Sequence, residues 1–256
     1  SLIGGYSYQE IRYQLDQFLP PLFVPPTGAA LSTDVSGDSH GWRAGVAYEI
    51  PEYALRASLI WNSQIDYDMR GSFLNPLLPG AVPVAGSISM PQSIEARFQS
   101  GVAPGWLAFG SVKWTDWSVA DNMALCPVGV PGCAYGNPAL VSGLVLQWQD
   151  TWSITLGAAH QLSEKLALAG SLSWDQGATR GFTSQTDTWT AGLTVILRPQ
   201  ANVELKFGGT AGILTGGSLS TLTLPHGRPQ TPGVNPHLRG GFFFTPQTPV
   251  GFLEEG

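Results

Sequence analysis

The chain is poor in charged residues. Asp, Glu, Lys and Arg make up 12% of its 256 residues, whereas an ordinary soluble domain has about 25%. So few charges are too few to solvate the surface of a soluble protein of this size, which indicates that lipid covers part of it. The 12 basic residues are scattered and the formal net charge is -6, so the basic stripe that a nucleic-acid partner needs is missing.

Long apolar runs and clusters of reactive side chains are also missing. No stretch approaches the roughly 18 apolar residues that would indicate a membrane-spanning helix. The four histidines are dispersed, and only His160 and Asp175 fall on neighbouring predicted strands, whereas catalysis by a serine or aspartate needs several such groups to converge. Two isolated cysteines do not make a metal site. We therefore predict no enzyme activity, no metal and no cofactor.

What the chain has instead is a repeated alternation of apolar with small or polar residues. In residues 189–197, Trp189, Leu193 and Leu197 share one face with two further apolar residues, while Thr190 and Thr194 share the other. A strand of about 9 to 11 residues with this pattern is typical of a transmembrane β-barrel, in which one face meets lipid and the other meets a polar lumen.

About ten such strands are predicted, and short connections alternate with long ones. The predicted strands cover residues 2–15, 41–50, 53–73, 87–100, 106–117, 151–161, 165–176, 187–198, 202–214 and 237–245. Loops are expected over residues 16–40 and 75–86 and around the two cysteines, and Pro91 should mark a bend. The fold class is therefore an all-β, up-and-down antiparallel barrel whose short turns are periplasmic.

Aromatic residues recur at the ends of the outward-facing rows, where the two membrane interfaces require them. The predicted interface aromatics are Trp42, Tyr48, Tyr53, Trp61, Trp106, Trp114, Trp152, Trp174 and Trp189. The competing interpretation is that they form a row on which a ligand stacks. Anchoring at the interface is favoured because the aromatics lie at strand ends.

Four cations have the parity of the lumen face: Arg43, Arg56, Arg97 and Lys113. They are candidates for binding the carboxylate of an apolar ligand in the barrel. The alternative is that they pair with Glu49, Glu95 and Glu204 on neighbouring strands and brace the barrel interior.

Cys126 and Cys133 flank a turn-rich segment in a loop expected to be extracellular. Proline and glycine can fold that segment back, and the compartment is oxidising, so a disulfide between these two cysteines is predicted.

Several segments resemble one known family, in the same order along the chain. They are Gly41-Trp42-Arg43-Ala44-Gly45-Val46-Ala47-Tyr48-Glu49, Ala54-Leu55-Arg56-Ala57-Ser58-Leu59-Ile60-Trp61-Asn62-Ser63, Ser89-Met90-Pro91-Gln92-Ser93, Val112-Lys113-Trp114-Thr115-Asp116-Trp117-Ser118 and Asp150-Thr151-Trp152-Ser153-Ile154-Thr155-Leu156-Gly157. Together they are similar to strands of the FadL family of outer-membrane transporters for long-chain fatty acids and other hydrophobic compounds. Leu144 departs from the pattern, because it stands where the family carries a basic residue.

The resemblance implies a fourteen-stranded barrel with an N-terminal plug, in the outer membrane of a Gram-negative bacterium. This chain resembles the later strands only, so residues 1–256 are expected to be one barrel domain without the plug and first strands, ending in an irregular tail over residues 246–256. The implied function is passive uptake of long-chain fatty acids or similar compounds by a monomer, with outer-membrane lipid and the hydrophobic ligand as partners. A general outer-membrane porin and a soluble β-sandwich binding module remain the alternatives.

Overall fold

The computed structural model describes residues 1–19, 29–120, 122–146, 148–178, 187–200 and 203–215, together with the backbone of residues 243–246. Most of these residues lie in antiparallel β-strands, so the predicted all-β fold is confirmed. Among the described residues, no helix has both the length and the apolar character that crossing a membrane demands.

The described residues form fourteen strands and two single turns of 3-10 helix. The strands are β1 (Leu2–Leu19), β2 (Ala29–Ile50), β3 (Leu55–Asn62), β4 (Ile65–Leu74), β5 (Ala81–Met90), β6 (Ser93–Ala103), β7 (Trp106–Thr115), β8 (Asn122–Pro127), β9 (Ser142–Val145), β10 (Thr151–Ser163), β11 (Leu166–Asp175), β12 (Asp187–Gln200), β13 (Val203–Thr215) and β14 (Phe243–Pro246). The 3-10 turns are Pro51–Tyr53 and Trp117–Val119.

The single sheet divides at β2. One edge of β2 pairs with β1, while the other pairs with β3 through residues 43–50 and with β4 through residues 32–36. We call residues 41–50 together with β3, β6, β7 and β10 to β13 the wall, and residues 29–40 together with β4, β5, β8 and β9 the extension. The sheet is open among the described residues, with β1, β9 and β14 at its edges.

Connections differ at the two ends of the wall. The turns at one end are short: Pro51–Tyr53 between β2 and β3, residues 104–105 between β6 and β7, and residues 164–165 between β10 and β11. The extension lies at the other end. Since bacterial barrels have short periplasmic turns and long extracellular connections, the extension is on the extracellular side.

A row of breaks separates the strands of the wall from those of the extension, except in β2, which runs through both. The predicted strand over residues 53–73 is wrong as a single strand, because Ser63 and Gln64 interrupt it between β3 and β4. The predicted bend at Pro91 is confirmed, since residues 91–92 separate β5 from β6. A third break follows Thr115 at the end of β7. These breaks are neighbours, because the residues just below them pair across the sheet, Asn62 with Ser93 and Ser93 with Thr115.

Three predicted loops are shorter than expected. Residues 29–40 belong to β2, residues 81–86 belong to β5, and the loop of the two cysteines contains β8 and β9. This is why the ten predicted runs become fourteen strands: two runs are each divided in two, and β8 and β9 are added. Of the predicted strand over residues 237–245, residues 243–245 lie in β14 and the rest lie outside the described residues, as does the predicted tail beyond residue 246.

Candidate functional site

The outer face of the wall is apolar and exposed. Val46 on β2 is 51% exposed, Leu156 on β10 is 56% exposed and Leu193 on β12 is 60% exposed. An apolar face that continues across this many strands is much larger than the apolar patches of soluble monomers. Hydrocarbon is the solvent that suits such a face.

The predicted interface aromatics lie on this outer face at two levels. Trp61, Trp114 and Trp152 belong to one cross-strand row near the breaks, while Tyr53 and Trp106 lie at the short turns. Trp106 and Trp114 are separated by eight residues of β7, about 26 Å along the strand, close to the apolar band of about 25 Å in outer-membrane barrels. Seven of the nine side chains are exposed, Trp42, Tyr48, Tyr53, Trp61, Trp106, Trp152 and Trp189, and the other two, Trp114 and Trp174, are partly exposed.

The inner face of the wall carries hydroxyl groups and glycines. The hydroxyls of Thr155 and Ser173 are hydrogen bonded at 2.9 Å, and Ser153 donates to Asp175 on the neighbouring strand. The ring of Phe109 covers the adjacent Gly157 so closely that a Cβ atom there would lie 2.3 Å from it. Polar and small residues therefore line this part of the lumen, and the ring of Phe109 packs over Gly157.

The four predicted lumen cations all lie on the inner face, but they are spread over four successive rows. Arg43, Lys113, Arg97 and Arg56 follow one another from the breaks towards the short turns. Rows on one face are about 6.6 Å apart, so the outermost two cations are about 20 Å apart along the strands. The structure does not bring them together at one point.

Two of these cations have acidic partners and two do not. Arg56 forms an ion pair with Glu49 at 3.0 Å, and Arg97 forms one with Glu95 at 2.6 Å. Arg43 donates from Nε to Asn62 at 2.8 Å. Among the described residues, no carboxylate oxygen lies within 4.0 Å of the Arg43 or Lys113 cation.

Glu204, the third predicted acidic partner of the four cations, forms its ion pairs with Arg198 and Lys206 instead. It accepts from Arg198 at 2.8 Å and from Lys206 at 2.7 Å, near the short-turn end of β12 and β13. The inner face therefore has its own ion-pair network there, separate from the four candidate cations.

A chain of polar contacts follows the row of breaks. Trp61 donates from Nε1 to Gln92 at 3.3 Å, and Gln92 donates to Asp116 at 3.0 Å. The Ser118 hydroxyl donates to the same Asp116 at 2.9 Å, and the Ser118 backbone N–H donates to Asp150 at 3.1 Å. Three of these bonds join side chains along the row of breaks, and the fourth gives the Ser118 N–H a side-chain acceptor where it has no sheet partner among the described strands.

The extension contains a buried apolar cluster on its inner face, which the sequence analysis missed. Its fully buried members include Tyr67, Met69, Met123 and Leu125, each at most 2% exposed. Met90 packs against them, so all three methionines of the chain meet here. The cluster consists of Val35, Ile65, Tyr67, Met69, Phe73, Val84, Met123 and Leu125, with Ile11 and Tyr13 of β1 at its border.

A period-two signal for this cluster exists in the segments predicted as loops. Leu31, Thr33 and Val35 alternate with Ser32 and Asp34 in the first half of β2, and Val82 and Val84 are spaced two residues apart in β5. Nearby prolines and glycines favoured loops over strands in both segments. Both segments are strands in the structure, so the alternation predicts them correctly and the prolines and glycines do not.

The cysteines lie at the border of the extension. A disulfide joins Cys126, in β8, to Cys133, and their Cα atoms are 5.8 Å apart. Cys126 is 1% exposed and pairs with Ala85 of β5. The covalent link therefore closes the segment that follows β8 onto the sheet.

Comparison with known sequences gives matches over most of the chain. Residues 10–188 match the family described as outer membrane protein transport protein (OMPP1/FadL/TodX). Outer membrane protein P1 of Haemophilus influenzae strain Rd is 25% identical over 209 residues, which are 78% of this chain and 43% of that protein. The chain thus spans less than half the length of this curated relative.

Solved structures give the same fold. A FadL homologue from Pseudomonas aeruginosa aligns with a TM-score of 0.59 at 15% identity, covering 83% of this chain and 54% of the homologue. The Ralstonia pickettii toluene transporter TbuX aligns with a TM-score of 0.50 at 17% identity, covering 82% and 58% of the two chains. At such identities the likeness concerns the fold alone.

The family match agrees with the arrangement of the strands. It covers residues 10–188, well over half of the chain, and it includes the extension, the row of breaks and the wall strands as far as the start of β12. Proteins of this family are outer-membrane transport proteins of Gram-negative bacteria, so the predicted location is confirmed. The chain belongs to the OMPP1/FadL/TodX family of outer-membrane transport proteins.

Proposed function

We propose that this chain forms part of a passive outer-membrane channel for hydrophobic compounds, and that long-chain fatty acids are among its ligands. The family is named for transport, and two structural neighbours are described as a monoaromatic hydrocarbon channel and a toluene transporter. The observation that carries the proposal is the apolar cluster on the inner face of the extension. It offers a lipid-like environment at the extracellular end of the lumen, whereas the inner face of the wall is polar.

The composition of the cluster suits an adaptable ligand site. Met69, Met90 and Met123 are unbranched and polarisable, so their side chains repack around solutes of different shape at low cost. An apolar solute entering from the extracellular side gains about 25 cal/mol for each Å² of its surface that leaves water. The proposed route needs no nucleophile, metal or nucleotide.

The cations give a basis for recognising a carboxylate head group. Arg56 and Arg97 are already neutralised by Glu49 and Glu95, so we assign them to bracing. Lys113 and Arg43 have no such partner among the described residues, and they occupy the two rows closest to the extension. We propose that Lys113 holds the carboxylate of a fatty acid whose tail reaches into the cluster, and that Arg43, three strands away on β2, is a second candidate for the head group.

The first test is a titration of the chain in detergent with oleic acid, toluene and sucrose, followed by tryptophan fluorescence. Saturable changes with oleic acid and toluene, and none with sucrose, are expected. A response to sucrose would favour the general porin. No response to oleic acid or toluene, with the β-sheet signal retained, would mean that residues outside this chain form the site.

A pair of variants tests the head-group assignment. Lys113→Met should weaken oleic acid binding about tenfold, since a charge-assisted contact contributes roughly 1.5 kcal/mol, and should leave toluene binding unchanged. Arg56→Met is the matched control, because its guanidinium is occupied by Glu49 and neither residue pairs with Lys113. Equal losses in the two variants would contradict the assignment.

We further infer that residues 1–256 act as a single barrel domain and as a monomer surrounded by outer-membrane lipid. The support is the continuity of one sheet through the described strands. Sedimentation of the detergent-solubilised chain at several protein concentrations should give one species of constant mass. Mass that grows with concentration would show self-association.

A further inference from the structure

Four aromatic rings gather on the outer face of β1 and β2. Tyr6 pairs with Trp42 and Tyr8 pairs with His40. The ring centroids are 5.0 Å apart for Tyr6 and Trp42, and 5.4 Å apart both for Tyr6 and His40 and for Tyr8 and His40. We call these four residues the aromatic patch.

The patch is fixed in place yet open to the surroundings. The hydroxyl of Tyr6 is hydrogen bonded to Nδ1 of His40, which holds two of the rings together. Tyr6, Tyr8 and Trp42 nevertheless remain 57%, 59% and 61% exposed. Rigid aromatic surface of this kind binds a partner at low cost in conformational entropy.

The patch lies beyond the apolar band of the wall, on the side of the extension. Ala44 pairs with Trp61 of the upper aromatic row, so Trp42 lies one row above it on the same face and His40 lies two rows above it. Each row adds about 7 Å along the strand. Tyr8 and His40 are therefore beyond the level at which interface aromatics sit, and face the saccharide region of the outer leaflet.

The next row on the same face carries two carboxylates. Glu10 and Asp38 pair directly, and both are exposed. Ionised carboxylates only accept hydrogen bonds and take them well from hydroxyl donors. Aromatic faces attract the polarised C–H groups of a ring laid over them, because their quadrupole is negative at the face.

We propose that the aromatic patch, with Glu10 and Asp38 above it, binds sugar units of the glycolipid that forms the outer leaflet. A sugar offers both surfaces that this site can use, C–H groups for the rings and hydroxyls for the carboxylates. The patch continues the lipid-facing surface of the wall upwards, so the glycolipid in contact with the wall already lies beside it.

The charges around the patch favour sugar over phosphate. Glu10 and Asp38 repel an anionic group. Among the described residues, two cations lie on this face in the row beyond the carboxylates. Arg12 is engaged by Asp34 through a hydrogen bond of 2.9 Å, and Arg70 of β4, which is exposed, pairs with Ser36. Recognition through phosphate would have to use Arg70, which lies two rows from His40 and on the next strand.

The test measures binding of dephosphorylated core oligosaccharide, released from lipopolysaccharide, to the detergent-solubilised chain by calorimetry. Inorganic phosphate and phosphatidylcholine vesicles are the comparison probes. Saturable binding of the oligosaccharide and none of phosphate is expected. Absence of oligosaccharide binding to the folded chain, or binding of phosphate alone, would overturn the proposal.

Variants locate the site. Tyr8→Leu should weaken oligosaccharide binding about fivefold to tenfold, the equivalent of one aromatic contact of roughly 1 kcal/mol, while Tyr8→Phe, which keeps the ring, should bind like the wild type. Tyr48→Leu at the opposite interface is the control, since Tyr48 is also highly exposed, at 63%. Equal losses in Tyr8→Leu and Tyr48→Leu would show that Tyr8 is only a membrane anchor.

Discussion

Two valines of the same strand show how differently the wall and the extension are built. Val46 lies in the wall part of β2, points outward and is 51% exposed. Val35 lies in the extension part, points inward and is 1% exposed. The wall keeps its apolar side chains on the outer face for lipid, whereas the extension folds them inward into a protein core. The wall therefore depends on its membrane, and the extension carries its own hydrophobic stabilisation.

The largest expected effect is that one added methyl group unfolds the extension and leaves the wall folded. A Cβ atom at Gly71 of β4 would lie 2.0 Å from the backbone oxygen of Asp34 in β2. Gly71→Ala should therefore force the two strands apart and destabilise the extension by more than about 3 kcal/mol. Hydrogen exchange should show loss of protection in β4 and β5 with the wall unchanged.

The control for that variant is a glycine in the wall. In the part of the chain that the structure describes, no atom lies within 4 Å of a Cβ built on Gly209 of β13, so Gly209→Ala should leave exchange unchanged in both regions. Loss of protection throughout the wall in Gly71→Ala would show that the two regions do not unfold separately.

A matched pair of leucines measures the difference between protein and lipid as surroundings. Leu125 in the extension is 0% exposed, whereas Leu156 on the outer face of the wall is 56% exposed. Leu125→Ala should cost about 3 kcal/mol or more, because it leaves a cavity. Leu156→Ala should cost about 2 kcal/mol, the transfer contribution alone, because lipid refills the space. Urea titration of the chain in lipid vesicles gives both values, and equal costs would contradict the contrast.

The disulfide should stabilise the extension alone. Cys126 and Cys133 are seven residues apart in sequence, and closing so short a segment contributes about 2 kcal/mol. Cys133→Ser should therefore increase proteolysis between β8 and β9 and leave the wall resistant. Reduced wild-type protein should behave in the same way, which separates loss of the bond from an effect of the serine.

The smallest expected effect is a dependence of the extension on acid pH. Hydrogen bonds from Ser89 and Gln64 hold the pKa of Asp66 below its usual value, and Arg12 does the same for the pKa of Asp34. A lowered pKa in the folded state means that the stabilisation is present above about pH 4, the unfolded value, and is lost as pH falls through the folded pKa. Exchange in β4 and β5 should increase slightly below about pH 4, because solvent screens both of these carboxylates. Asp66→Asn should reduce that dependence, and an unchanged pH profile would exclude Asp66 as its source.

The sequence predicted the wall better than the extension, for a physical reason. In β12, Trp189 to Leu197 meet lipid on one side and a polar lumen on the other, so inside and outside differ strongly at every second residue. The alternation of hydropathy is then large and easy to see.

The extension has weaker contrast between its faces. Along β5, Val82 and Val84 alternate with Pro83 and Ala85, which are not strongly polar, and Gly86 continues the inner face without a side chain. The pairing of β5 with β8, which brings Met123 and Leu125 into the same cluster as Met69, joins distant parts of the chain, and no local pattern predicts it. For the same reason, the parity of Arg97 and Lys113 was evident from sequence, whereas their different ion-pair partners were not.

The row of breaks also protects the wall against changes in chain length. In a continuous strand, one inserted residue turns every following side chain to the opposite face, which would carry lipid-facing residues into the lumen. Residues 63–64, 91–92 and those after Thr115 separate β3, β6 and β7 of the wall from the neighbouring segments of the extension, and they interrupt the chain before such a slip reaches the wall. Insertions and deletions in β4, β5 and β8 can then be absorbed at the breaks, whereas β2 runs from the extension into the wall without one. The part of the extension that β4, β5 and β8 form is therefore free to diverge while the register of the wall stays constant.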